Sequence, residues 1–391
     1  MRVRWSALLV CGVILLGIAP STWALELGEW VPGLKLSPFF TEQITYESNV
    51  FQVPSHAQGS TIIHEIPGFL ADYSFGPHSL SVGGRADFLN YIALPSQNTI
   101  NYAGLVDLRL EYPRTFVGFR DDVVRTTEPP NTELTGPIVS FTNTLSTRVQ
   151  YSLTSRFAVG ASFGWLHPEY ENRQVAEDLN RNEYLVTGSV FWHFVPSATL
   201  GVNANYSREI FTLSSDRNVS NYGMTVSLTG DVTAKVSSTL YFGFIDRVPD
   251  ASFQPGYFGI RMGGGVTYRP TERTTISLQV DRTPVESTFN NTPYYSTLAG
   301  ILNVSQQITP KITVTATVGG GVNNYPTKQE TVSSEFLWRR DTFYAYGITA
   351  TYAMRSWLFF GVGYNCVGRN SNFDQFNFVD NRFTGRVTIQ F

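Results

Sequence analysis

The carboxy-terminal stretch 381–391 alternates between apolar and polar side chains at almost every position. In an extended chain, the odd-numbered residues from Phe383 to Phe391 share one face, and the even-numbered residues from Arg382 to Gln390 share the other. Successive side chains of a strand point to opposite faces, so this period of two predicts a strand with one apolar and one hydrated surface. A strand that ends the chain needs a neighbour on each edge, or its backbone groups stay unpaired. We therefore predict that this strand closes a barrel.

The composition fits a wall between lipid and water. Aromatic residues make up 14% of the 391 residues and charged residues 15%, against about 25% charged residues in a typical soluble domain. The mean hydropathy of −0.08 is too low for a bundle of membrane-spanning helices. Alternating lipid-facing and water-facing side chains would produce this mixture, and a soluble β-sandwich or propeller is the alternative. The net charge of −3 predicts no nucleic-acid partner, because such a partner needs a basic surface.

Residues 1–24 have the pattern of a secretory signal peptide. Arg2 and Arg4 are followed by an apolar run over 7–18 and by a plausible cleavage site that ends at Ala24. We therefore expect residues 25–391 to form a single barrel domain. Of the two cysteines, Cys11 lies in this leader, which leaves Cys366 and no internal disulfide. No His/Cys cluster has metal-ligand spacing, so we expect neither a metal nor a cofactor.

Tight turns recur about every 40 residues and alternate with longer polar loops. The tight turns are Gly76-Pro77, Tyr112-Pro113-Arg114, Leu153-Thr154-Ser155, Pro196-Ser197, Thr233-Ala234-Lys235, Arg269-Pro270-Thr271, Thr309-Pro310 and Met354-Arg355. Eight such turns join nine hairpins, which predicts a transmembrane, antiparallel, up-and-down β-barrel of eighteen strands. Sixteen strands remain possible if the stretches around Asp121 and Asp246 are not strands. Among the longer loops, 325–340 is the best candidate to fold inward and narrow the barrel, although it could equally lie outside.

Alternation along the strands also predicts which charged side chains face the lumen, because a charge on the lipid side of a barrel is destabilising. The predicted pore-lining residues are Arg85, Asp87, Asp107, Arg109, Glu111, Arg120, Asp122, Arg148, Glu183, Glu209, Arg261, Asp281, Arg382 and Arg386. Seven are basic and seven acidic, which argues against a strongly anionic solute. Such a wall could contact a polar solute, or its charges could form cross-strand ion pairs that only stiffen the barrel.

Aromatic residues gather near the tight turns. They are Tyr112, Tyr151, Phe157, Trp192, Phe194, Tyr268, Tyr352 and Trp357. A belt of aromatic side chains around a barrel is typical of the interface between lipid headgroups and acyl chains. We therefore predict that these residues contact outer-membrane lipid. His167, next to a predicted outer rim, is the one candidate for a hydrolase site. A lone histidine is far more often an ordinary surface residue, and we therefore predict no enzymatic activity and no catalytic residues.

The first strand carries a short motif, Tyr46-Glu47-Ser48-Asn49-Val50-Phe51. It resembles the Tyr-x-x-Asn-Val/Ile-Phe pattern of the putative β-barrel porin family of Gram-negative bacteria, which is associated with exopolysaccharide secretion. Ser48 departs from the acidic residue often found there. The resemblance implies an eighteen-stranded outer-membrane barrel that serves as the exit for a secreted polysaccharide, and it brings no catalytic residues. A terminal aromatic residue such as Phe391 is also the signal that barrel-assembly machinery reads in outer-membrane proteins generally.

Three functions follow from these patterns. The first is a porin-like channel for polysaccharide export, which would bind a polysaccharide and periplasmic export proteins. The second is a general diffusion porin for small hydrophilic solutes, since the same polar wall would serve both. The third, an outer-membrane hydrolase, depends on His167 alone. All three place the chain in the bacterial outer membrane.

Overall fold

The chain folds into a closed barrel of antiparallel strands. The computed structural model describes residues 31–289, 292–330 and 336–391, and eighteen strands lie within these ranges. They are β1 (Leu34–Glu47), β2 (Ser60–Phe75), β3 (His78–Tyr91), β4 (Thr99–Glu111), β5 (Thr115–Thr126), β6 (Ser140–Ser152), β7 (Phe157–Tyr170), β8 (Arg181–Val195), β9 (Ala198–Phe211), β10 (Val219–Thr233), β11 (Val236–Pro249), β12 (Tyr257–Thr271), β13 (Thr274–Phe289), β14 (Thr292–Thr309), β15 (Ile312–Glu330), β16 (Phe336–Arg355), β17 (Leu358–Ser371) and β18 (Phe378–Gln390). Each strand pairs with its neighbours in sequence, and β18 pairs with β1. The predicted eighteen-stranded barrel is confirmed, and the alternative count of sixteen is wrong.

The seam between β1 and β18 shows why the terminal strand alternates so strictly. The register runs from Phe39 opposite Gln390 to Glu47 opposite Arg382. The N–H of Phe391 donates to the Pro38 carbonyl oxygen at 3.0 Å. Because β18 pairs with β17 on its other edge, both edges of the strand are satisfied.

Short and long connections lie at opposite ends of the barrel. Tight turns join the paired strands at one end, where β1 begins and β18 ends. The longer loops at the other end include one short helix, α1 (Arg173–Leu179), capped by the Asn172 side chain. No helix within the described ranges is long and apolar enough to cross a membrane. The predicted signal peptide, residues 1–24, lies outside the described residues.

The segment 325–340 does not fold into the barrel where it is described. β15 continues to Glu330 and β16 begins at Phe336, with Lys328 opposite Trp338 and Gln329 opposite Leu337. After a register shift between Asn324 and Lys328, this pairing satisfies the backbone N–H and C=O groups in the ladder. Of the two placements predicted for 325–340, the paired ends therefore favour the one outside the barrel, and residues 331–335 lie outside the described ranges.

The outward face of the barrel is apolar and ends in aromatic side chains. All eight predicted interface aromatics are exposed, and five of them face outward by register: Tyr151, Phe157, Trp192, Tyr268 and Tyr352. A second series of rings, not predicted, follows the loop end: Tyr206 with Tyr222, Phe244 with Phe258, and Tyr364 with Phe383, at centroid distances of 5.3, 5.9 and 4.9 Å. That these rings contact lipid headgroups stays a prediction.

The buried apolar side chains lie under loops and leave the barrel axis to polar groups. One cluster joins Val50 to Ile62, Leu89 and Tyr91, and a second joins Ile138 to Val175 and Leu179. The first cluster covers the inward face near the loop end, because Ile62 and Leu89 share that face with the charged residues of β2 and β3, and the second packs α1 against Ile138. The core therefore holds the loops against the wall.

Candidate channel constriction

The loop between β5 and β6, residues 127–139, crosses the interior of the barrel, and we call it the constriction loop. Its base is closed by Ile138 N–H donating to the Thr127 carbonyl oxygen at 2.8 Å. The Asn131 side chain accepts hydrogen bonds from the N–H groups of Glu133 and Leu134 and thereby fixes the tip. The loop thus has a defined shape before it meets the opposite wall.

Polar side chains attach the tip of the constriction loop to strands far from β5 and β6. The Glu133 carboxylate accepts from Ser287 Oγ and Thr288 N, both at 2.8 Å, on β13. Asn323 of β15 donates to Thr132 Oγ1 at 2.8 Å. Since β13 and β15 lie across the barrel from β5, these contacts hold the loop across the interior.

Arg369 on β17 makes the third attachment. Its guanidinium donates to the carbonyl oxygens of Thr132 and Glu133, each at 2.7 Å, and to the Phe376 carbonyl oxygen at 2.7 Å. The residue is only 2% exposed. A charged donor buried against three carbonyl groups is a strong and directional anchor.

Burial raises the pKa of the Glu133 carboxyl, although the bonds from Thr288 and Ser287 and the nearby charge of Arg339 oppose the shift. Burial likewise raises the pKa of Asp178 on α1, against the attraction of Arg217. Both groups belong to the longer loops at the end of the barrel opposite the tight turns. The state of these loops is therefore linked to proton binding.

Seven charged residues of alternating sign connect α1 with five positions on the wall. In order they are Asp178, Arg217, Glu286, Arg247, Glu209, Arg181 and Glu183, with N···O distances between 2.5 and 3.8 Å. The side chains of Arg217 and Arg247 are each only 4% exposed. Removing one residue from this series of ion pairs would leave a buried charge without a partner. The series of ion pairs therefore fixes the position of α1.

The motif Tyr46-Glu47-Ser48-Asn49-Val50-Phe51, which begins with the last two residues of β1, closes the seam near the constriction loop. The Asn49 N–H and Ser48 Oγ donate to Asp380 Oδ1 at 2.9 and 3.1 Å, and Asn49 Nδ2 donates to the Val379 carbonyl oxygen at 3.2 Å. The next residues lie against the constriction loop. At Gly136, where φ is +74°, a Cβ atom would meet the Phe51 carbonyl oxygen at 3.1 Å, so only glycine fits there without strain.

Arg382 lies between the seam and the constriction loop. Its guanidinium contacts Glu47 at 2.7 Å, Asp380 at 2.8 Å and Glu128 at 3.6 Å. Glu128 belongs to the loop and is well exposed, whereas Asp380 is fully buried. Arg382 therefore links the seam to the constriction loop through three carboxylates.

Two cavities flank the constriction loop. One, of about 470 Å³, is lined on the wall by Gln43, Thr45, Asn101, Asn365 and Thr384. The other, of about 530 Å³, is lined by the glycine-rich wall of β14–β17. Gln52, Glu128, Pro129 and Arg382 border both cavities. The loop thus divides the interior without filling it.

By register, all fourteen predicted pore-lining residues lie on the inward face. The structure brings four of them together on β4 and β5: Asp107 with Arg109 at 3.0 Å, Arg120 with Asp122 at 2.6 Å, and Arg120 with Asp107 at 3.3 Å. Glu183 and Glu209 join the alternating chain, and Arg382 joins the seam. Part of the predicted wall therefore consists of ion pairs between neighbouring side chains, which is the alternative to contact with a solute.

The remaining predicted wall residues are dispersed. Asp87 pairs with His64 at 3.1 Å, Asp281 accepts a hydrogen bond from Tyr241, Arg148 donates to Gln150 at 2.7 Å, and Arg261 lies 5.8 Å from the Tyr241 ring. Arg85, Glu111 and Arg386 form no ion pair within the described ranges. A conducting role for these fourteen residues stays a prediction.

Several residues of the constriction were missed from sequence. Extending the period of two to the strand ends would have placed Glu47, Arg247, Asp341, Arg369 and Asp380 on the inward face. In the sequence, the constriction loop shows only the local signals Pro129-Pro130 and Gly136-Pro137. These dipeptides mark turns but do not show whether the loop folds into the barrel or away from it. Its contacts depend on residues from β13 to β17, far away in sequence.

His167 does not belong to this site. It lies on the outward face of β7, where its ring stacks on Trp165, one nitrogen lies 3.1 Å from Glu169 Oε1 and the other 3.1 Å from the Arg181 carbonyl oxygen. Neither of these two partners is a hydroxyl or a thiol. Within the described ranges, no group of three or more His, Cys, Asp or Glu residues could hold a metal ion.

Comparisons with known proteins agree with the fold. The chain matches the model of a family described as Putative beta-barrel porin 2 over residues 26–391, and no curated protein matches it. The outer membrane protein opdK from Pseudomonas aeruginosa is 9% identical, with 91% of this chain and 99% of that chain covered and a TM-score of 0.51. OccAB3 from Acinetobacter baumannii is 8% identical over 91% of this chain and 99% of that chain, with a TM-score of 0.49. The chain therefore belongs to the Putative beta-barrel porin 2 family and is a porin-like β-barrel channel of the outer membrane.

Proposed function

We propose that this protein is a diffusion channel for small hydrophilic solutes. The observation that carries the proposal is the constriction loop, which Glu133 and Thr132 fasten to the opposite wall and which leaves cavities of about 470 and 530 Å³ beside it. An eighteen-stranded barrel without such a loop would enclose a wide aqueous channel. A fastened loop narrows the path to solutes that fit beside it.

The chemistry of the wall suits neutral polar solutes. Around the smaller cavity, amide and hydroxyl groups alternate on neighbouring strands, with Gln43 and Thr45 on β1 next to Thr384 on β18. These groups can both donate and accept hydrogen bonds, so they can replace water around a sugar or a similar molecule.

The charge around the passage is nearly balanced. Glu47, Asp87 and Glu128 line the smaller cavity together with Arg85, Arg125 and Arg382, and water and salt screen these charges further. We therefore expect weak selectivity between cations and anions.

Export of a polysaccharide is the second candidate. It is favoured by the same wall of amide and hydroxyl groups, which could slide along a sugar polymer. It requires more of the structure, however, because a polymer must pass the constriction loop, and the bonds of Glu133 and Arg369 would have to break. We therefore place it behind diffusion of small solutes.

Solute flux into liposomes that contain the purified protein separates the two candidates. For a diffusion channel, the swelling rate should fall steeply from monosaccharides to trisaccharides, and polymers should be excluded. A swelling rate that is independent of solute size, or no entry of monosaccharides through a folded barrel, would contradict the proposal.

Planar-bilayer recordings with neutral and acidic polysaccharides on the tight-turn side add a direct test of export. Long-lived blockades that shorten with applied voltage would indicate threading of the polymer and favour export. An open channel that ignores the polymer would favour diffusion.

A further inference from the structure

The larger of the two cavities beside the constriction loop has an apolar floor. On β14–β17, the register places six apolar residues, glycine included, on the inward face that carries Asp281. These residues, which we call the apolar patch, all line the cavity and are Ala299, Ile301, Gly319, Phe343, Ala345 and Val367. The next inward positions on β14 and β15 are polar, with Thr297 and Asn323 toward the loops and Asn303 and Thr317 toward the tight turns. An apolar patch inside a hydrated lumen is typical of a ligand-binding surface.

The Phe343 ring lies along the wall and provides a platform in the apolar patch. Gly321 is directly opposite Phe343, and a Cβ atom there would meet the Phe343 Cζ atom at 2.6 Å. The absence of a side chain at Gly321 therefore makes room for the ring. Ile301 continues the platform on β14 and is 39% exposed. Both side chains are open to a solute in the cavity.

The constriction loop supplies the opposite side of this cavity. Pro129 and Leu134 of the loop line it together with the apolar patch. Leu134 also packs against the buried cluster that contains Ile138. The bonds of Arg369 and Asn323 to the loop keep it close to this part of the wall. The cavity therefore lies between two surfaces with apolar groups, a shape that suits a flat ring.

A carboxylate without a cationic partner lies at the edge of the apolar patch. Asp281 of β13 is directly opposite Ala299 and lines the cavity. One of its oxygen atoms accepts a hydrogen bond from Tyr241, and within the described ranges it forms no ion pair. Arg261, whose guanidinium lies 5.8 Å from the Tyr241 ring, lines a different cavity. Asp281 can therefore accept a hydrogen bond from a solute.

The two arginines that border the cavity already have partners. The Arg369 guanidinium donates to three carbonyl oxygens, and the Arg382 guanidinium contacts three carboxylates, one of which belongs to Glu128 of the loop. Glu128 also borders this cavity. The charge that remains available to a solute is that of Asp281, so the cavity favours a cationic group over an anionic one.

We propose that the larger cavity binds a small solute that carries a flat apolar ring and a protonated amine. The ring covers Phe343 and Ile301, and the ammonium group donates to Asp281. Neighbouring strands are about 4.8 Å apart, so β13 and β16 are about 14 Å apart along the wall, and the Phe343 side chain covers part of this interval over β15. A ring with a short amine arm spans the remainder. The inference rests on the proposed diffusion channel and names the solutes that it should retain longest.

Block of the single-channel current by added solutes tests the proposal. Phenethylammonium should block at concentrations about tenfold lower than butylammonium, which lacks the ring, because burying the ring removes apolar surface from water. It should also block better than phenylpropionate, which has the ring but the opposite charge. Equal block by butylammonium, or equal or stronger block by phenylpropionate, would overturn the proposal.

Variants locate the block. Asp281→Asn should weaken block by phenethylammonium about tenfold, because it removes a charged hydrogen-bond acceptor, and Phe343→Leu should weaken it severalfold. The matched controls, Asp122→Asn and Phe191→Leu, change inward residues on the other side of the barrel and should leave the block unchanged. There, Asp122 is paired with Arg120, and Arg148 lies 5.7 Å from the Phe191 ring. Equal effects in the controls would contradict the assignment.

Solute flux distinguishes failure of this inference from failure of the proposed function. A channel that admits monosaccharides but ignores phenethylammonium overturns the inference alone. If the folded barrel admits no monosaccharide, saturation-transfer NMR of phenethylammonium with the purified protein still decides the inference. A signal that Asp281→Asn loses and Asp122→Asn retains supports the site, and equal signals in both variants overturn it.

Discussion

Replacing Arg369 with glutamine tests whether the constriction loop is held by its attachment to the far wall. In the wild type, two of the three guanidinium hydrogen bonds go to the loop, at Thr132 and Glu133. Hydrogen bonds that involve a charged group contribute about 1.5–3 kcal/mol each, so their loss weakens docking by about 3–6 kcal/mol. Every 1.4 kcal/mol is about tenfold in an equilibrium. The lower bound already predicts a roughly hundredfold larger population of released loop.

Single-channel recording of the refolded protein measures this population. Release of the constriction loop should appear as visits to a state of higher conductance, and Arg369→Gln should lengthen the total time spent there. Arg386→Gln is the matched control, because Arg386 also lies on the inward face and carries the same charge but is exposed and contacts no part of the loop.

The reasoning fails if Arg369→Gln, in a folded barrel, gives the same conductance and dwell times as Arg386→Gln. That result would mean that the loop stays docked without the guanidinium, or that it does not limit the current. An equal change in both variants would instead assign the effect to lumenal charge.

Three further predictions concern charge, pH and assembly. Glu128→Gln should shift the reversal potential in a salt gradient toward anion selectivity, and Arg382→Gln should shift it toward cation selectivity; opposite shifts would remove both residues from the conducting path. Because burial raises the pKa of Glu133 in the docked loop, the docked state binds a proton more tightly than the released state. Docking is therefore most stable below the ordinary carboxyl pKa and weakens as the pH rises through the raised value, so acidification should reduce visits to the high-conductance state, and Glu133→Gln should abolish that dependence. Deleting Phe391 should lower the yield of folded barrel in cells through poorer recognition by the assembly machinery, and an unchanged yield would assign the residue a purely local role at the seam.

The sequence determined the architecture because a closed barrel repeats one local rule. Each strand must present apolar groups to lipid and polar groups to water, so the alternation from Phe383 to Phe391 is legible without any knowledge of neighbours. The same rule placed Arg109 and Arg386 on the inward face. The even number of strands followed from counting tight turns, whose proline and glycine residues are local signals.

The tertiary structure alone decided which loop enters the barrel. The constriction loop and the segment 325–340 are both polar connections between strands, so their composition does not separate them. The difference lies in partners that are distant in sequence, since Glu133 finds Ser287 and Arg369 finds the loop carbonyl groups only after the barrel has closed. The described ends of the segment 325–340 instead pair with each other, from Lys328 opposite Trp338 to Glu330 opposite Phe336. Local periodicity fixes the face on which a side chain lies, whereas closure of the sheet decides what that side chain meets.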